Sequence, residues 1–238
     1  MNNTEFQRRY GTGMAPPSRR LLAGELLTPL RLALDPAQYQ RLPRDIDGRD
    51  RPVMLLPGLG AGPASMWLIR RYLRRCGFRT WDWGQGKNHG DVARLTPSVI
   101  ERLRSLVDRL DTPIALVGWS LGGYIAREIA REHPELVSRV ITLGSPVVGG
   151  PKYTAVSHVY ERRGLSMDTL EAATLERYAR PIERPVHAIY SEADGVVAWQ
   201  ACIDRFSDDV EHIRVTGSHV GLGFSKQVLR LLPKLLDA

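Results

Sequence analysis

What most restricts this chain is a rhythm that begins near residue 51. Short apolar runs alternate with stretches whose apolar residues recur at helical spacing. VMLL (53–56) runs into Pro57-Gly58 and reads as a buried strand ending in a turn. Residues 65–75 read as a helix, with Met66, Ile69, Tyr72 and Leu73 on one face, arginines opposite and Gly77 as the stop. FRTWDW (78–83), IALVG (114–118), RVITLG (139–144), VHAIY (186–190) and VEHIRV (210–215) read as further strands. Helices are predicted from Thr96-Pro97 to about Leu110, over 120–132, and from about Ser225 onward. A wholly apolar strand must be covered on both faces. Strands of this kind alternating with helices predict an α/β fold, with a mostly parallel sheet of about six strands and helices on both faces.

Two segments fall outside the rhythm. Residues 146–184 hold a Gly149-Gly150-Pro151 turn and helical stretches near 152–162 and 166–179, and read as an insertion above the sheet. Residues 19–34 read as one or two short amphipathic helices broken near Thr28-Pro29. They are expected to pack on the domain's own sheet, with peripheral membrane contact as the alternative. The chain thus divides into an N-terminal helical extension, 1–50, and one domain, 51–238, that carries the 146–184 insertion.

Composition narrows the classes. The 238 residues are 43% hydrophobic and 25% charged, an ordinary globular balance with room for one sizeable core. The net charge of +7 is carried mostly by arginine, and Lys occurs only at 87, 152, 226 and 234. The arginines are scattered over helix faces, as at Arg70, Arg71, Arg74 and Arg75, without a basic-aromatic recognition motif; this argues against nucleic acid as a partner. No window approaches the roughly 18 apolar residues of a membrane span. Residues 1–10 are polar with no apolar run behind them, so no secretory leader is expected. Cys76 and Cys202 have neither metal-site nor disulfide-framework spacing. Free thiols and a cytoplasmic location follow as expectations.

The chemistry is concentrated at Gly118-Trp119-Ser120-Leu121-Gly122. The apolar strand before it and the helix-forming YIAREIARE after it give the strand–turn–helix context that a nucleophile elbow requires. Gly118 and Gly122 remove Cβ atoms that would meet neighbouring backbone, and the helix N-terminus favours developing negative charge beside Ser120. A serine hydroxyl needs a base, and the base an orienting acid, in the chain order Ser, Asp or Glu, His. Asp194 follows the strand at 186–190, and His219 follows the strand at 210–215. Glu192 is the rival acid. His187 and His212 lie within strands, His133 at a helix end, and His158 in the insertion; His89 lies in a loop too early in the chain to be the base.

The two N–H donors that would stabilise an oxyanion are expected from Leu121, after the nucleophile, and from Leu59 in the PGLGAG loop (57–62). That loop is no dinucleotide fingerprint, because Pro63 stands where G-x-G-x-x-G needs its last glycine. No cofactor or metal is expected. Trp119 and Trp199, with Met167 and Trp83, are candidates for the wall of an apolar acyl pocket.

PGLG before a helix, GWSLGG, ITLGSP, YSEADGVV and TGSHVGLG together resemble the α/β-hydrolase superfamily, and more narrowly its bacterial lipase- and esterase-like members, over about residues 52–236. The resemblance implies a cap over the site, which 146–184 matches by position, and a serine esterase with a Ser120, His219 and Asp194 triad acting on small-molecule acyl esters. A thioesterase or acyltransferase would use the same residues. A non-catalytic binding protein on the same scaffold would be expected to lack a triad member. The chain departs from the family in having PGLG where many lipases carry His-Gly. It also lacks two leading strands, in whose place the N-terminal helices stand.

Overall fold

The computed structural model describes residues 14–26, 28, 39 and 42–238. Six strands form one sheet: β1 (Pro52–Leu56), β2 (Arg79–Asp82), β3 (Ile114–Trp119), β4 (Val137–Leu143), β5 (Val186–Tyr190) and β6 (Val210–Arg214). Their order is β2-β1-β3-β4-β5-β6, and every pairing is parallel. Eight α-helices are present among the described residues: α1 (Arg19–Glu25), α2 (Trp67–Arg75), α3 (Val92–Leu110), α4 (Leu121–Glu132), α5 (Ser157–Glu161), α6 (Met167–Arg177), α7 (His219–Leu222) and α8 (Lys226–Asp237).

The strand alternation divides the core in two. Val53 and Leu55 pack with Ile69 and Leu73 of α2 and with Leu229 and Leu232 of α8. Met54 and Leu56 turn the other way, towards Val99 and Leu103 of α3 and Ile125 and Ile129 of α4. Successive side chains of a strand leave opposite faces, so a run such as VMLL feeds both cores at once. The chain leaves β1 towards β2 on one side and returns to β3 on the other. That reversal opens a crevice beyond the carboxyl ends of β1 and β3, where open α/β sheets take ligands.

Three local expectations change. The first is α3, which opens at Val92 and encloses Pro97. Its start is set by Asp91, whose side chain accepts from Arg94 N at 3.2 Å, so a capping aspartate overrides the first-turn preference of proline. The second is the predicted helix near 152–162, which is a 3₁₀ turn, Gly150–Tyr153, followed by the short α5. The third concerns the N-terminal segment. Ser18 caps α1, and α1 lies against loops at the carboxyl end of the sheet rather than against a sheet face. Its Leu22 is 40% exposed, and Leu26 just beyond it is 81% exposed. The predicted break at Thr28-Pro29 and the stretch to 34 lie largely outside the described residues; Thr28 itself is described. No described helix is long and apolar enough to cross a membrane.

Candidate active site

Ser120 stands between the last residue of β3 and the first of α4, with φ 54° and ψ −123°. Only three other non-glycine residues among those described have positive φ: Arg49, Asp50 and Asp111. The ψ of Ser120 takes it outside the left-handed helical basin, a conformation that costs on the order of 1–3 kcal/mol and persists only where surroundings impose it. They do so here. A Cβ on Gly118 would lie 2.4 Å from Gly123 Cα, and one on Gly122 would lie 2.3 Å from Leu56 O. Backbone therefore packs directly on backbone at the bend, and Ser120 N donates to Leu143 O at 2.8 Å.

The loop after β1 runs beside this bend. Leu59 and Leu121 line the same cavity as Ser120. Leu121 is the first residue of α4, so its N–H has no acceptor within the helix. Leu59 N–H has no backbone acceptor among the described residues, while its neighbour Gly60 N is tied to Asn88 O at 2.7 Å. Asn88 is fully buried. Its Nδ2 donates to Pro57 O at 2.9 Å, and its Oδ1 accepts from Gly90 N at 3.0 Å. One asparagine thus fixes the loop that presents Leu59. Nothing in the GQGKNHG stretch marked it beyond its being an amide among glycines.

Asp194 and His219 meet across two loops. His219 Nδ1 and Asp194 Oδ2 are 2.6 Å apart, with both residues buried. The other carboxylate oxygen, Oδ1, accepts from Val196 N at 2.8 Å and Val197 N at 2.7 Å. His219 opens the short helix α7, which Ser218 caps, and its ring centroid lies 6.2 Å from that of Trp119. The Ser120 hydroxyl makes no hydrogen bond to the imidazole. Catalytic bonds of this kind are often long in the free state and tighten only around a substrate.

The competing residues are engaged elsewhere. Glu192 is solvent-exposed and pairs with Arg214 at 3.3 Å. His187 Nδ1 lies 3.0 Å from Glu211, His212 Nε2 accepts from Asp204 N at 3.0 Å, and His133 sits 3.2 Å from Glu135. His89 contributes its carbonyl to Arg163 at 2.7 Å. Asp204 is buried in an ion pair with Arg127. Cys76 and Cys202 are buried and unbridged. Among the described residues, no group of three His, Cys, Asp or Glu side chains could hold a metal ion.

The cavity in front of Ser120 has a volume of about 480 Å³ and a mostly apolar wall that includes Tyr124, Pro151, Tyr160, Leu165, Leu170 and Val197. Burial pushes the Tyr160 hydroxyl up to about 12 against the opposing Arg163 charge, and burial likewise raises Tyr124. Both hydroxyls therefore stay protonated at neutral pH and remain donors. Trp119, Trp199 and Met167 are not part of this wall. As the last residue of β3, Trp119 points into the core beneath the site, edge-on to Phe224. Trp199 stacks on Tyr190 with centroids 5.8 Å apart, Met167 begins α6, and Trp83 is buried with its Nε1 on Gly86 O. The wall comes instead from residues 150–177, from the start of α4 and from the loops after β1, β2, β4 and β5.

Glu25 at the end of α1 was not among the predicted site residues. It is buried, and its carboxylate accepts from Gly195 N, His219 N and Val220 N at 2.8, 2.6 and 2.9 Å. In the sequence it reads as one more charge on an amphipathic helix.

Comparison with known proteins agrees with this architecture. Residues 53–233 match the model of the alpha/beta hydrolase family. A pimeloyl-[acyl-carrier protein] methyl ester esterase from Aromatoleum aromaticum is 32% identical over 142 residues, which is 54% of this chain and 55% of that protein. The match therefore spans about half the length of this curated relative. A mature-form lipase from Bacillus licheniformis superposes with a TM-score of 0.63 at 14% identity, over 80% of this chain and 94% of that one. The thioesterase domain from the curacin biosynthetic pathway superposes with a TM-score of 0.56 at 15% identity, over 81% of this chain and 93% of that one. The six-stranded parallel sheet, the bend at Ser120 and a family match across most of the length lead to one assignment: this chain belongs to the alpha/beta hydrolase family.

Proposed function

We propose that this chain is a serine hydrolase that cleaves carboxylic esters through an acyl-enzyme. One observation carries the reading: the buried 2.6 Å contact between Asp194 and His219, whose ring lies 6.2 Å from that of Trp119, the residue before a strained serine that lines an apolar cavity. In this reading Ser120 Oγ attacks the acyl carbonyl while His219 Nε2 takes its proton. Asp194 keeps the other proton on Nδ1 and stabilises the imidazolium. The Leu59 and Leu121 N–H groups receive the negative charge that develops on the carbonyl oxygen. Such donors are worth about 2.7–4 kcal/mol each in the transition state. The tetrahedral intermediate expels the alcohol, which leaves with the proton from His219. Water, deprotonated by His219, then attacks the ester of Ser120 and releases the acid.

The cavity's volume and apolar wall support acyl chains of short to medium length. The relative named as a methyl ester esterase supports a small alkyl leaving group. Residues 51–238 are assigned as the catalytic domain, 146–184 as its cap and 1–50 as an N-terminal extension. The cap meets the loop after β2 where Arg163 reaches His89 O, and the cap is tied within itself by Lys152 between Asp168 and Glu171, at 2.7 Å each.

The test is labelling by a fluorophosphonate probe together with turnover of p-nitrophenyl esters and the matching thioesters of graded chain length. Ser120→Ala is expected to abolish labelling and to lower kcat by roughly 10⁴–10⁶ with an unchanged fold. Near wild-type turnover by that variant would remove Ser120 from the mechanism. A preference for thioesters at every chain length would replace the ester substrate.

A further inference from the structure

Glu25 occupies a position that the triad reading leaves unexplained. The residue is 6% exposed, and no ion pair involves it among the described residues. An isolated buried charge is costly unless several donors compensate it. The compensation comes from three backbone N–H groups. Gly195 directly follows Asp194. His219 is the proposed base itself, and Val220 follows it. The last two N–H groups open α7, where the first turn has no acceptors of its own. One carboxylate therefore joins the loop of the acid to the loop of the base.

The packing around Glu25 is specific to this arrangement. A Cβ on Gly195 would lie 2.4 Å from Leu21 O, so the backbone of α1 rests on the residue after Asp194. Thr28 Oγ1 and Ser218 Oγ, 2.6 Å apart, form a second tie between the N-terminal segment and the base loop. An apolar side chain at position 25 would fill the same space without aligning either loop.

We propose that Glu25 is a positioning residue: it sets the separation of the Asp194 and His219 loops and thereby the contact between carboxylate and imidazole. This rests on reading Ser120, His219 and Asp194 as a catalytic triad. Glu25 touches no substrate. It acts through the main chain on either side of the pair.

The experiment compares wild type, Glu25→Gln and Thr28→Val for kcat, KM, thermal midpoint and the low-field imidazole N–H proton resonance of His219. Gln keeps the size of Glu but removes the charge and sets its amide N–H₂ against a backbone N–H. Glu25→Gln is expected to lower kcat by about 10²-fold, the loss that a small misplacement of catalytic groups produces, with KM within about twofold of wild type. The low-field resonance should shift or broaden in the same variant. Thr28→Val, which cuts the second tie and leaves the carboxylate, should stay within about threefold of wild type in kcat.

Wild-type kcat in Glu25→Gln, an unchanged resonance, or equal losses in both variants would overturn the role and leave Glu25 as packing. Should Glu25→Gln not fold, amide hydrogen exchange in the wild type decides. Slow exchange at Gly195, His219 and Val220 supports the clip, and fast exchange at these amides removes it. The two readings fail separately. A wild-type protein that no fluorophosphonate labels refutes the triad, while the resonance and exchange measurements still report whether Glu25 holds the pair.

Discussion

The proposed nucleophile and its two partners lie at the ends of strands in one sheet, yet they are held in different ways. Ser120 is fixed by exclusion. Leu56, Gly118, Gly122 and Gly123 bring backbone against backbone until few conformations remain. The loops of Asp194 and His219 are fixed by attraction, through hydrogen bonds that Gly195 N and His219 N donate to Glu25, 170 and 194 residues away. A steric clamp is local to its own motif and insensitive to charge. A hydrogen-bonded clamp draws on a distant part of the chain and depends on one ionised group. The elbow should therefore fail by losing the fold, and the acid–base pair by losing chemistry.

Among the variants that test the two clamps, the largest effect is expected where the second clamp meets the imidazole. Asp194→Asn should keep Oδ1 on the Val196 and Val197 N–H groups, because those donors demand an oxygen. The amide NH₂ then faces His219 Nδ1. A donor there requires an unprotonated Nδ1, which moves the remaining ring proton to Nε2, where it cannot accept from Ser120. Measured kcat should fall about 10⁴-fold with the thermal midpoint nearly unchanged. A loss under tenfold would show that the tautomer of His219 is set by something other than Asp194.

The contrast also explains what the sequence revealed. The elbow was legible because steric demands are written locally, as glycines at fixed offsets from Ser120. The strands were legible because period-2 burial turns into runs such as VMLL. Glu25 was not legible, since RRLLAGE is a sound amphipathic helix wherever it docks, and its partners are main-chain groups that leave no trace in side-chain identity. Asn88 was missed for the same reason, its bonds running to Pro57 O, Gly90 N and the Leu59 loop. Among the pocket candidates, Trp119 shows that nearness in sequence is not nearness to the cavity. Trp119 adjoins Ser120 but closes β3 facing the opposite side. Pro97 misled because a proline is tolerated inside α3 once Asp91 has capped it.

The first clamp is tested by Gly122→Ala. Its Cβ would stand 2.3 Å from Leu56 O, and neither backbone can retreat without moving β1 or α4. Overpacking of this kind typically costs about 1–3 kcal/mol, so the thermal midpoint and the activity should fall together. Glu25→Gln should separate them. Full stability in Gly122→Ala alongside lost activity would mean that the bend yields more readily than backbone packing implies, and the contrast between the two clamps would weaken.

The smallest effect is expected two residues from Asp194. Glu192 shares the loop after β5 and the carboxylate chemistry, so by sequence alone it competes for the acid's role. Its side chain is 45% exposed and lies 3.3 Å from Arg214 across open solvent. Exposed pairs of this kind contribute about 0–1 kcal/mol, and among the described residues no backbone N–H fixes Glu192 as Val196 and Val197 fix Asp194. Glu192→Gln should therefore leave kcat within about twofold and shift the thermal midpoint by no more than a few degrees. A loss of a thousandfold or more would instead make Glu192 the partner of His219 during turnover. The loop would then have to rearrange on binding substrate, and the hydrogen bond that Gly195 N donates to Glu25 would have to break for it to do so.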